Sequence, residues 1–530
     1  MEKNEKVRAK HPSPFEFGTL ILIILLSALG AIVGLELITR LGTTPNTSII
    51  GALVAIVLAQ VPFAFLRKYK DVNRQNLLQT AISGATFSAA NGLMLPIGIV
   101  FLMGRSDLIW PMLIGVALAV ITDATILYFS FDSKAFPAQG AWPPGIATAE
   151  SIKTAAEKGK SGFILVAGIV GGATGKYFGI PMDILGVAFI GNAFALTAFG
   201  IGLLTRGYVP GLTGIDLMEL YLPHGVMIGA GLVALVQIIR TITSEKGSED
   251  AEKYQVTRNA AEFKKGLGRG YLVYVGIAAL LAIITGLITK MSVGMFILWI
   301  VFAATAAIVS ELIVGIAAMY SGWFPAFATA LIFLVLGMLI GFPPLALAIL
   351  VGFTASTGPA FADMAYDFKA GWVLRGEGKD PEFEKEGRKQ QYIAEIIAFM
   401  VAILVVGLVH QFYFAQDLVP PVNRVYVATI EAGTNPEVAK YLLLWAIPGA
   451  IIQFIGGPSR QLGVLFATGL LIKSPIAGIT VLIGLAIRWL VLKIKGKEAQ
   501  GMLYILGAGS IAGSALFSFF KSTIRLGQIK

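Results

Sequence analysis

The sequence predicts an all-α, polytopic integral membrane protein with about 14 to 16 transmembrane helices, some of them broken or re-entrant. Three observations predict it. Of 530 residues, 56% are hydrophobic and only 14% are charged, where an ordinary soluble protein has about a quarter charged. The hydrophobic residues come in continuous runs long enough to span a bilayer, which takes about 20 mostly apolar residues. Those runs lack the two-residue alternation of a membrane-spanning β-barrel.

In chain order, apolar runs cover 18–38, 48–66, 108–128, 162–177, 185–204 and 225–239, then 271–288, 294–320, 324–340, 345–356, 392–410, 441–455, 463–472, 476–492 and 502–520. The run over 77–104 is apolar but interrupted by Asn91 and Pro96. The first run is too long for a signal-peptide core, so it reads as a retained span. Composition divides the chain into a basic tail (1–16), a first membrane half (17–240), a charged loop (241–270), a second half (271–520) and a C-terminal tail (521–530). A duplicated architecture is common among transporters. Its one echo here is Gly202-Leu-Leu-Thr-Arg206 against Gly469-Leu-Leu-Ile-Lys473.

The net charge of +10 reflects loops and tails. Lys3, Lys6, Arg8 and Lys10, then Arg67, Lys68, Lys70 and Arg74, are the positive-inside signature of a cytoplasmic N-terminus, and a plasma membrane is the expected location. No basic motif with interleaved aromatics suggests nucleic acid. Partners reduce to the bilayer, a small solute and further copies of the chain. The rule conflicts with itself near the C-terminus, where basic clusters flank 502–520. Either that run folds back at Gly507, Gly509 and Gly513, or one cluster is external.

The chain has no cysteine and three histidines. Thiolate metal sites and thiol nucleophiles are excluded, and no His-Glu-x-x-His is present. Tyr366-Asp367 has no Gly-x-Gly-Asp partner for intramembrane aspartyl proteolysis, so no enzyme is expected, and no cofactor or resident metal. A channel normally repeats one pore ring by oligomerisation, whereas this chain has several unlike breaks. Secondary transport of a small solute is the economical function.

The breaks are informative because lipid tolerates irregular backbone only where protein or a cavity covers it. From Phe136 to Lys153 the chain reads FPAQGAWPPGIATAESIK. Proline suits a first helical turn, so a half-helix is expected from about Pro144. Begun inside the membrane, its free N–H groups and positive dipole end make an anion site. From Thr354 to Trp372, TASTGPAFADMAYDFKAGW, a second helix starts at Gly358-Pro359 and carries Asp363, Tyr366, Asp367 and Lys369. Asp363 and Asp367, four apart, share a face. The alternative is that this segment emerges into water beside the polar stretch 375–388. The segment 72–92 is polar for a span, with Gln79, Thr80, Ser83, Thr86, Ser88 and Asn91. Glu395 is a further acid within an apolar run. Intramembrane acids usually line a solute or ion path.

These segments also carry a family resemblance. Trp142-Pro-Pro-Gly-Ile-Ala-Thr-Ala-Glu-Ser-Ile152 is similar to the Pro-Ser-Gly-Thr-Ala-Thr-Ala motif of the oligopeptide transporter superfamily, above all its yellow-stripe-like branch. Asp363-Met-Ala-Tyr-Asp-Phe-Lys-Ala-Gly371 resembles the family's Asp-Leu-Met-Gln-Asp-Phe-Lys-Thr-Gly. Arg74-Gln-Asn-Leu-Leu-Gln-Thr80 resembles Arg-Gln-Glu-Asn…Ile-Gln-Thr, two residues shorter, and 388–397 fits the segment after the Asp-Phe-Lys motif. The family's Asn-Pro is represented by Phe324-Pro325 alone. The resemblance implies proton-coupled uptake of oligopeptides or of metals chelated by peptide-like ligands. On this reading Gln79, Asn91, Thr148, Glu150 and Tyr366 line the substrate path, and Asp363, Asp367, Lys369 and Glu395 couple it to protons.

Overall fold

The computed structural model describes residues 11–42, 44, 47–60, 63–157, 161–243, 256–321, 326–433 and 435–528, and among them every regular element is helical. In chain order the helices are α1 (Phe17–Leu41), α2 (Thr47–Gln60), α3 (Val72–Phe87), α4 (Leu95–Leu102), α5 (Ile109–Ser130), α6 (Pro143–Glu157), α7 (Ser161–Tyr177), α8 (Met182–Ile190), α9 (Ala193–Thr213) and α10 (Leu222–Thr243). They continue as α11 (Ala260–Ile284), α12 (Val293–Ser321), α13 (Ala326–Ile340), α14 (Pro344–Ser356), α15 (Pro359–Leu374), α16 (Pro381–Phe414), α17 (Val422–Ala432), α18 (Pro436–Arg460), α19 (Leu462–Leu471), α20 (Pro475–Lys495) and α21 (Ala499–Gln528). The basic residues of 1–10 and the Phe324-Pro325 motif lie outside the described residues.

Local chemistry sets the helix starts. Pro344, Pro359, Pro381, Pro436 and Pro475 each occupy a first turn, where a missing N–H costs nothing. The Asp71 side chain accepts from Arg74 N, and Asn259 with Glu262 forms a reciprocal capping box. Asn192 caps α9 by accepting from Phe194 N and Ala195 N, so the apolar run over 185–204 is two helices and not one span.

Among the described residues nine helices are long and apolar enough to cross a membrane, and three shorter apolar ones accompany them. Two stand at the centre. Val72–Leu102 and Pro344–Leu374, 31 residues each, have 83% and 94% of their apolar stretch buried. Helices α18 and α20 turn Leu443, Ile447, Ile451, Phe454, Ile476 and Ile483 outward, as lipid contact requires. The interruption expected at Asn91 and Pro96 is a stretch of π-helix over Ser88–Met94, closed by Leu95 N donating to Ala90 O. Pro96 then falls in the first turn of α4, where it breaks nothing.

Each of the two central segments is followed by a long apolar helix that carries a buried acid, Asp123 on α5 and Glu395 on α16. The Gly202 and Gly469 echo has a spatial counterpart. The two glycines pack backbone to backbone where α9 crosses α19, each Cα 3.0 Å from the place a Cβ on the other would take. Small residues at such crossings permit close helix approach in lipid.

Two expectations about polarity are corrected. The C-terminal run does not fold back: α21 is one continuous helix, so its two basic clusters lie at opposite ends. The stretch 375–388 is only partly solvated: Glu377, Lys379, Glu382 and Lys385 are exposed, but Arg375, Glu384 and Arg388 are buried against one another.

Candidate functional site

A cavity of about 500 Å³ lies between the two central segments and α6, and both proline-started helix ends face it, through Pro143 and Pro144 and through Pro359. Neither end offers free N–H donors. Trp142, in the left-handed region at φ 37°, turns its carbonyl onto Gly145 N at 2.9 Å and Ile146 N at 3.3 Å, and the two prolines have no N–H. The anion site expected at the start of α6 is therefore absent, its donors used or missing. At α15 the Asp123 carboxylate fills the same need, accepting from Gly358 N and Phe361 N, all at 2.9 Å.

Asp363 on α15 lines the cavity. Its Oδ1 accepts from Thr47 Oγ1 at 2.8 Å, and Ser83 Oγ approaches both of its oxygens, at 3.0 and 3.1 Å. One turn on, Asp367 Oδ1 accepts from Ser48 Oγ and from Gln79 Nε2, each at 2.6 Å. The other oxygen of Asp367 and both oxygens of Glu395, on α16, have no hydrogen-bond partner among the described residues. Carboxylate oxygens of Asp363, Asp367 and Glu395 lie within 4.8 Å of one another. Gly84 makes the room, since a Cβ there would sit 2.8 Å from Glu395 Cγ. No Lys or Arg among the described residues pairs with these three acids. At such proximity the charge on one carboxyl bears on the ionisation of the other two.

The remaining expected residues divide. Tyr366 and Asn91 line the cavity. The Tyr366 hydroxyl has no partner among the described residues, and Asn91 Nδ2 donates to Thr44 Oγ1 at 2.9 Å. Gln79 is fully buried behind the wall, holding Asp367 while accepting from Asn76. Thr148 is buried off the cavity, and Glu150 points away from it, exposed and paired with Lys153 at 3.2 Å. Lys369 faces away from the acids: its Nζ donates to Ala138 O at 2.8 Å and lies 4.3 Å from the centre of the Trp372 ring. It anchors the loop that leads into α6.

Sequence reasoning missed the two groups that complete the site. Thr47 and Ser48, at the start of an apolar helix, supply the hydroxyls that orient both aspartates. From Asp367 a polar chain then runs to a buried ionic network. Gln391 Nε2 donates to the Asp367 carbonyl, and Arg375 bonds Gln391 Oε1 at 2.8 Å and Glu384 at 2.7 and 3.0 Å. Arg388 reaches Asp132 at 3.4 Å, and Asp132 accepts from Thr257.

The family model described as OPT oligopeptide transporter protein matches residues 206–524. The matched range contains α15 and α16 with all three acids, while the motif-bearing segments 74–80 and 142–152 precede it. No curated protein matches the sequence.

Proposed function

The chain belongs to the OPT oligopeptide transporter family, and from that premise we propose that it is a proton-coupled symporter of oligopeptides or of peptide-like metal chelates, nearest in character to the yellow-stripe-like branch. The observation that carries this reading is a group of three carboxyls with no counter-cation among the described residues, one of which reaches a solute-sized cavity. A volume of about 500 Å³ falls within the roughly 300–1,000 Å³ of small-molecule sites.

Asn91, Tyr366 and Asp363 contact the solute. Asp367 and Glu395, one layer behind, carry the protons, with Gln79, Thr47, Ser48 and Ser83 fixing the geometry. Lys369 acts through the loop it holds, and Thr148 through the packing of α6; Glu150 lies outside the path. The two membrane halves, 17–240 and 271–520, surround the site. The N-terminus faces the cytoplasm of a plasma membrane, where Lys68 and Arg74 pair with Glu16 at the start of α1.

Purified protein in liposomes with an imposed pH gradient tests the reading. Labelled peptide, or a labelled metal chelate, accumulates above its external concentration when the gradient is inward, and a protonophore abolishes this. Accumulation unaffected by collapse of the pH gradient would exclude proton coupling.

A further inference from the structure

We propose that the cavity selects solutes by a cationic group, a free ammonium foremost, seated at Asp363, and offers no cationic side chain to a compensating anionic group. The inference rests on the reading of this cavity as the transport site and narrows its substrate class.

Asp363 is the one charged side chain that lines the cavity among the described residues. Everything else polar on its wall is an amide or a hydroxyl. Among the described residues the Asp363 carboxylate accepts from two protein donors, Thr47 and Ser83. A carboxylate offers about four acceptor positions, so it keeps capacity for a donor from the cavity. The Tyr366 hydroxyl, one helical turn further along and without a partner of its own among the described residues, stands on the same wall.

No Lys or Arg lines the cavity among the described residues to receive an anion. Helix N-termini are the usual carboxylate receptors where no Arg or Lys is present. The two helix starts begun by proline on the cavity wall are internally closed, α6 by the Trp142 carbonyl and α15 by Asp123. A substrate carboxylate would leave water for a wall that has no cationic side chain among the described residues and already holds the Asp363 carboxyl, and burying a charge without a counter-charge is unfavourable.

The same wall also carries Asn91. Asp363 is anionic and Asn91 a neutral amide, so a solute with a single ammonium lies one way round. Of the two solute classes named above, this favours peptides with an unmodified amino end over chelates of net negative charge.

Equilibrium binding at pH 7 to the full-length purified protein tests this with trialanine, its N-acetyl derivative and its C-terminal amide. The amide binds at least as tightly as trialanine. The N-acetyl peptide binds about ten- to a hundredfold more weakly, the scale of one charge-assisted hydrogen bond. In Asp363→Asn the difference between the acetylated and free peptides disappears. An acetylated peptide that binds as well as trialanine, or an amide that binds tenfold more weakly, overturns the inference and leaves peptide transport standing. Failure of all three peptides to bind overturns the peptide reading itself, and the inference with it.

Discussion

Asp123 and Glu395 each lie on the helix that follows a central broken segment, and they are used in opposite ways. Asp123 is fully engaged, capping the start of α15 through Gly358 N and Phe361 N. Glu395 is just as buried, yet neither of its oxygens has a partner among the described residues. One acid is structural; the other is kept available.

Asp123→Ala and Glu395→Gln should therefore separate stability from transport. The first strands buried N–H groups at a cost of about 1–3 kcal/mol each. The second keeps size and polarity, leaves unfolding nearly unchanged, and lowers proton-driven accumulation at least tenfold. Thermal unfolding and liposome uptake of both variants check this. Equal destabilisation by the two changes would show that Glu395 is structural as well.

Asp367→Asn should abolish accumulation under a pH gradient while exchange of labelled for unlabelled solute continues. Asp367 lies off the cavity wall, so solute contacts survive. The comparison is net uptake against counterflow in the same liposomes, and loss of both would make Asp367 a binding residue instead.

The Arg375–Glu384 pair is buried and doubly bonded. Removing one partner leaves an uncompensated charge and should cost about 3–5 kcal/mol, whereas replacing both by apolar residues of similar size should recover most of it. Arg375→Met, Glu384→Met and the double variant form the cycle. Single variants as stable as the parent would mean that water reaches the pair.

His11 lies outside the membrane-spanning segments, buried and packed on the Phe383 ring at 5.4 Å. Burial first, then the Arg375 guanidinium, lowers its pKa from 6.5 to about 4. The folded state thus prefers the neutral ring. Its contribution is complete above pH 6.5 and is lost as the pH falls toward 4. Amide exchange over 11–16, corrected for intrinsic rate, should accelerate across that window in the parent and stay flat in His11→Gln.

Much of this architecture was legible in the sequence, because hydropathy and proline placement are local signals. Pro143 and Pro359 start helices as their position dictates, and Asp363 and Asp367 share the face their spacing implies. The misreadings involve partners far along the chain. Arg375, Glu384 and Arg388 look solvated by composition, since nothing nearby announces Asp132. Thr47 and Ser48 look like an ordinary helix start until two aspartates from residues more than three hundred positions away meet them. Glu150 shares a motif with Thr148, but residues two apart do not share a helix face, and it turns outward.

The capping of α15 by Asp123 also sets a schedule for biogenesis. Asp123 and Gly358 are 235 residues apart, and ribosomes add about 5–20 residues per second. The carboxylate of Asp123 is therefore made roughly 10 to 50 s before the N–H groups that hold it. Throughout that interval the nascent first half carries an acid with no native partner, which lipid alone would not accommodate. The early helices must wait loosely assembled, with water or the insertion machinery around Asp123, until the later segment arrives to close the fold.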